Sequence, residues 1–170
     1  MDPTAAGKSL VTRKPADGSR DAQTLVSLDG TAYIKALMPD GDSGIFDYQR
    51  STGNGNIVQS KLGEGGTLME LVNTGFAEFA AALSPDGRWL AYQSNESDRP
   101  EIYVREMSGA GGRWQISVGG GEEPRWSHDG RELYYRNGNL FMSVAISTRP
   151  SFQAGTPTNL FGGIFDLRSN

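Results

Sequence analysis

Gly7, Lys8 and Ser9 fall where a phosphate-binding loop places its last glycine, its lysine and its hydroxyl. In such a loop the backbone N–H groups and the lysine hold nucleotide phosphates, and the hydroxyl meets magnesium. The surrounding sequence opposes that chemistry. Asp2 occupies the position of the motif's first glycine, and the residues before Gly7 are too few for the strand that must precede the loop. Pro15, Asp17 and Gly18 interrupt the helix that must follow it. No alternation of strand and helix patterns appears along the chain. A second candidate is Ser43, framed as Gly41-Asp42-Ser43-Gly44 in the manner of a peptidase nucleophile. That chemistry needs a histidine to take the serine proton and an aspartate to orient it. The single histidine, His128, lies downstream in a turn-forming stretch, and no G-x-S-x-G elbow is present. With no cysteine, disulfides and thiolate metal sites are excluded. Glu122, Glu123 and the scattered turn aspartates lack the spacing of a calcium loop and read as solvated surface. No catalytic, cofactor-binding or metal-binding residue is therefore assigned, and no cofactor is expected.

These rejected motifs lie inside a repeat. LSPDGRWLAYQS at 83–94 recurs as WSHDGRELYYRN at 126–137, an offset of 43 residues that aligns Ser84, Asp86, Gly87 and Tyr92 with Ser127, Asp129, Gly130 and Tyr135. MPDGDSGIFDYQ at 38–49 aligns upstream at an offset of 46. Asp-Gly is a hairpin signal, because glycine supplies the positive φ that the turn needs. Each copy then runs through an aromatic and aliphatic strand, a polar turn, a third strand and a glycine turn before a fourth, as in RWQIS at 113–117. Four antiparallel strands per ~40 residues are the signature of a β-propeller blade. Several strands are apolar on consecutive residues, as a strand covered on both faces must be. The recurring aromatics Trp89, Tyr92, Tyr103, Trp114, Trp126 and Tyr135 are expected in the core between blades. The opening stretch is a looser copy, with Gly7 in the turn, Leu10 to Thr12 as the following strand, and TLVSLDG at 24–30 matching IYVREMSG at 102–109.

Composition agrees. The 170 residues suffice for one domain, and 23 glycines, about twice the usual ~7%, fit many tight turns. A net charge of −4 and no Lys/Arg run beyond two residues argue against nucleic acid and anionic membrane surfaces. No segment approaches the ~20 apolar residues of a membrane-spanning helix, so no membrane insertion is expected. The N-terminus lacks the apolar stretch of a signal peptide, which leaves a cytosolic protein or a piece of a larger one.

SPDGRWLAYQSNESDRPEIYV at 84–104 resembles the TolB-type, WD-like propeller repeat. The longer run at 76–146, with GTPTNLF at 155–161, is similar to the extracytoplasmic propellers appended to bacterial serine/threonine protein kinases. The resemblance implies an all-β fold of propeller blades and a non-catalytic scaffold or sensor that binds a protein or peptide. It also implies an extracytoplasmic location, with any kinase chemistry in a separate domain. The alternative is the gating half of a prolyl-oligopeptidase-like hydrolase.

The expected organisation is one domain over 1–170 with about four blades: an atypical 1–37, then 38–75, 76–118 and 119–162. Gly7 and Gly41 are only 34 residues apart, so the first junction lacks a strand. TAYIKAL at 31–37 is expected to serve two blades or to leave one defective. The family would run on past FDLRSN, so the chain reads as a partial propeller, or one that two copies complete as a homodimeric ring. Glu78, Glu123 and Arg125, on strands just before the Asp-Gly turns, are the candidate partner-binding residues at the channel or its rim.

Overall fold

The computed structural model describes residues 7–50, 53–63 and 66–163. Asp2, the start of the STGNGN turn, Gly65 and the terminal FDLRSN lie outside them. The described residues form fifteen strands and no helix. By internal contacts the chain divides into two compact units, 1–79 and 80–170.

The first unit opens with β1 (Lys8–Arg13) and β2 (Gln23–Asp29), which pair antiparallel as a sheet of two strands. The second sheet is a four-stranded meander of β3 (Thr31–Leu37), β4 (Ser43–Gln49), β5 (Asn56–Lys61) and β6 (Leu68–Val72). TAYIKAL is thus the first strand of this sheet alone, and the sheet before it is the defective one. A shared core joins the two: Val26 and Leu28 of β2 pack with Phe46, Tyr48 and Val58. The Tyr48 hydroxyl also donates to the Asp29 carbonyl.

The third sheet runs β7 (Glu78–Leu83), β8 (Trp89–Ser94), β9 (Glu101–Glu106) and β10 (Arg113–Gln115). The boundary between the units falls within β7. The fourth sheet runs β11 (Glu122–Trp126), β12 (Glu132–Asn137) and β13 (Leu140–Ser147). There β13 pairs both with the short β14 (Gln153–Ala154) and with β15 (Thr158–Gly162). GTPTNLF therefore supplies a fourth strand, as expected.

The core of the second unit is the seam between these two sheets. Trp89, Ala91, Ile102 and Val104 from one face of the third sheet meet Leu133, Tyr135, Val144 and Ile146 of the fourth. Phe152 stacks against both Trp89 and Trp114, at 4.8 and 4.7 Å between ring centres. Each large apolar side chain among them contributes ~1.5–3 kcal/mol on burial. All four residues from Trp89 to Tyr92 are buried, so this strand is covered on both faces.

The turns explain why the repeat motif is so regular. The Ser84 hydroxyl donates to Asp86 Oδ1 at 2.6 Å and accepts the Trp89 N–H at 2.9 Å, while the Arg88 N–H donates to the same Asp86 oxygen at 3.1 Å. Ser127, Asp129, Arg131 and Glu132 repeat every bond, at 2.7, 3.1 and 3.0 Å. The turn closes on Gly87 and Gly130, at φ of 72° and 70°, where a side chain is strained. In the upstream copy Met38 replaces the serine, so the Asp40 to Asp42 N–H bond survives without the hydroxyl. The first strands of the last two sheets share another device. Ala80 and Glu123, 43 residues apart, both adopt φ of 56°, and around Glu123 the pairing of β11 slips. Such bulges kink a strand and re-aim its side chains.

Candidate functional site

The residues that first pointed to chemistry have structural employment. Lys8 and Ser9 begin a strand rather than a helix. Lys8 Nζ lies 3.4 Å from Asp29 Oδ1, and the Ser9 hydroxyl donates to the Gly30 carbonyl and accepts the Ala32 N–H. Ser43 is buried in β4, and His128 is exposed in its turn. No group of three or more acidic, histidine or cysteine side chains among the described residues is placed to hold a metal ion.

The three candidate partner-binding residues separate. Glu78, expected toward the channel or rim, is fully buried, with a carboxylate oxygen that accepts the Thr74 hydroxyl. A glutamate at the head of a strand reads as surface, but here the chain bends back so that the Glu78 N–H bonds Gly55. Glu123 and Arg125 are exposed on β11. Glu123 and its neighbour Glu122 are not merely solvated: both bind Arg136, at 3.3 Å to Nε and 2.5 Å to Nη2. The bulge at Glu123 places two consecutive carboxylates on one guanidinium. Arg125 donates to the Pro124 carbonyl and completes a patch of two acids and two bases. Arg136 was not legible beforehand, because its partners lie across the Asp-Gly hairpin.

A second polar cluster caps the third sheet. Arg113 pairs with Glu96 and lies 4.8 Å over the Tyr103 ring. Tyr103 stacks at 5.9 Å on Tyr92, and its hydroxyl meets Ser97 at 2.7 Å. Burial pushes the Tyr92 hydroxyl up to about 12, with Arg113 offsetting part of the shift. Glu101 is buried and accepts the Ser117 hydroxyl at 2.5 Å and the N–H groups of Gly119 and Gly120 at 2.9 Å each. These charges hold loops in place.

The first unit carries grooves. Beside β2 lies a groove of about 740 Å³ whose lining includes Ser27, Asp29, Tyr48, Arg50 and Leu68. A smaller cleft of about 630 Å³ is walled by Val11, Leu25, Ile34 and Leu37, with Arg13 and Asp42 at its edge.

Repeated four-stranded antiparallel meanders with a shared turn, and a core along the seam within each unit, define β-propeller blades. Solved structures make the class more particular, a TolB-like propeller fold. The chain is similar to the crystal structure of TolB from Acinetobacter baumannii, with a TM-score of 0.66 at 20% identity over 89% of this chain and 37% of that one. It is similar to a putative TolB from Agrobacterium tumefaciens, with a TM-score of 0.63 at 16% identity over 91% of this chain and 61% of that one. The periplasmic gluconolactonase of Pseudomonas aeruginosa gives 0.61 at 15% identity, over 94% and 51% of the two chains. These likenesses are of fold, and the chain spans less than two thirds of each of these structures. No protein-family model matches the chain.

Proposed function

We propose that this chain is a non-catalytic propeller module, one domain of blades within a larger bacterial protein, that binds a protein or peptide partner. The kinase-appended propellers remain the subfamily it resembles on residues 76–146. A position outside the cytoplasm fits the periplasmic enzyme among the similar folds. What supports the reading most is how the reactive side chains are spent. Ser9, Ser84, Ser127, Asp86, Asp129 and Glu101 all hold backbone or one another, while recognisable surface remains at Glu123, Arg125 and the groove beside β2.

The test is selection of ligands from a displayed random-peptide library, followed by calorimetry on the purified chain. Saturable one-to-one binding is expected. Failure to select any peptide, or turnover of lactone or ester substrates by the purified chain, would overturn the reading.

Self-association is the second part of the proposal. Tyr134, Phe141 and Phe161 stack in a row across the fourth sheet, at 5.8 and 5.0 Å, and Phe161 stays 52% exposed. A half-buried aromatic row that ends in an exposed Phe161 favours a second copy that completes a ring. Light scattering across a dilution series is expected to give about twice 18.3 kDa. A stable monomer at every concentration would remove self-association and leave partner binding intact.

A further inference from the structure

We propose that the outer edge of β2 is a seat for an extended peptide from a partner protein, which adds to the first sheet as the strand that sheet lacks. The proposal rests on the partner-binding reading and names its site. In the other three sheets the third strand carries an antiparallel fourth: β6 on β5, β10 on β9 and β15 on β13. Among the described residues the first sheet ends at β2, and the groove of about 740 Å³ lies beside that strand.

The backbone geometry makes this edge competent to bind. Gly30 donates its N–H to the Gly7 carbonyl at 2.8 Å, which makes those two residues a hydrogen-bonded pair. Antiparallel pairs alternate, so Ser9 with Leu28 is bonded, whereas Lys8 with Asp29 and Leu10 with Ser27 are not. Ser27 and Asp29 therefore turn their backbone groups away from β1. The Asp29 carbonyl is taken by Tyr48 and the Leu25 carbonyl by the Gly63 N–H. The Ser27 N–H and carbonyl and the Asp29 N–H face the groove, a ladder fragment of the kind that captures peptides by strand addition.

The lining states the occupant's chemistry. In the second unit the fourth strand sends Trp114 onto the seam with the next sheet. Here Tyr48 and Leu68 offer the same kind of seat, so a large apolar side chain is required. Arg50 is exposed at the groove and makes no ion pair with a described residue, so a carboxylate is favoured beside it. Among the described residues a second copy of this chain offers no spare fourth strand, because β6, β10 and β15 are each paired in their own sheets. The occupant is a short apolar and acidic segment of another protein.

The test uses the full chain and a fluorescein-labelled peptide copying residues 66–73, GTLMELVN, which has the required apolar and acidic pattern. Fluorescence anisotropy is expected to show saturable binding. The same peptide N-methylated at alternate residues leaves the protein untouched and is expected to bind at least ~10-fold more weakly, through loss of ladder hydrogen bonds. Ser27→Pro, which removes an outward N–H, is expected to do the same. Arg50→Glu is expected to weaken binding about 5-fold and to flatten its salt dependence. Equal binding of the N-methylated peptide overturns the edge assignment whether or not the proline variant folds. So do library-selected ligands that bind both variants as well as the parent chain, an outcome in which the partner-binding reading stands. Absence of any peptide ligand overturns both.

Discussion

Two tryptophans in the same core are held differently. Trp89 is buried with its indole N–H lacking an acceptor, whereas Trp126 donates its N–H to the Ala82 carbonyl at 3.1 Å and so ties the first strands of two sheets. An unmet buried donor costs ~1–3 kcal/mol, which offsets much of the apolar area lost in Trp89→Phe. That variant is expected within ~1 kcal/mol of the parent in urea unfolding, while Trp126→Phe loses ~1–2 kcal/mol. Tyr92 gives a pH prediction. Its hydroxyl is raised from 10.0 to about 12 by burial, so the folded chain holds that proton more tightly than the unfolded chain does. The resulting stability is fully present below about pH 10 and is lost as pH climbs from about 10 toward 12. Urea midpoints measured across that window should fall, and Tyr92→Phe should fall less. At this scale the sequence was informative about the aromatics, since Trp89, Tyr92, Tyr103 and Tyr135 are all buried. It misled on Glu78, because burial of a carboxylate depends on a hydroxyl four residues back and a carbonyl at Gly55, neither marked by composition.

At the scale of elements, Glu101 stands out. It begins β9, yet its carboxylate gathers the loop after β10 by three donors. Glu101→Ala removes the acceptor of a buried hydroxyl and of two partly buried N–H groups and is expected to cost roughly 2 kcal/mol, read by urea unfolding. Glu101→Gln keeps the shape and part of the acceptance, and should cost less. The turns make a companion test. Ser84→Ala removes both a donor to Asp86 and the acceptor of the Trp89 N–H, with an expected loss of ~1 kcal/mol. The sheets were legible because Asp-Gly turns and aromatic strands recur at offsets of 43 and 46 residues, and each copy closes its turn with the same backbone bonds. The first sheet was legible only as a shortened spacing. A fourth turn of related construction, at Pro15 to Gly18, where the sequence breaks any helix, joins β1 to β2 rather than following a first strand: the Gly18 N–H bonds Pro15, and Asp17 accepts from Ser19. The bulge at Glu123 carries no sequence signal, because glutamate is an unusual residue at positive φ.

For the whole molecule, the fold explains where the reactive groups go. A blade is built from turns that consume hydroxyls and carboxylates, so a sequence rich in Ser, Asp and Glu imitates several catalytic motifs without assembling any of them among the described residues. Under the proposed partner-binding reading, recognition falls to what the blades leave uncovered: an edge in the first unit, and in the second an aromatic row and the Glu123–Arg125 patch. The strand order has a consequence for how such a chain is made. Except for β15, which returns to β13, every strand in a sheet pairs with the strand just before or after it in the sequence. Contacts this local close with little loss of loop entropy and favour rapid folding. As the polypeptide leaves the ribosome, each new strand meets a partner that has just emerged, and a blade can be finished before the next begins. The turns at Ser84 and Ser127 set hairpin register within six residues of chain, whereas the turn at Met38 lacks the hydroxyl that fixes it. Of these three hairpins, the one from β3 to β4 is thus the step at which nascent register is least constrained.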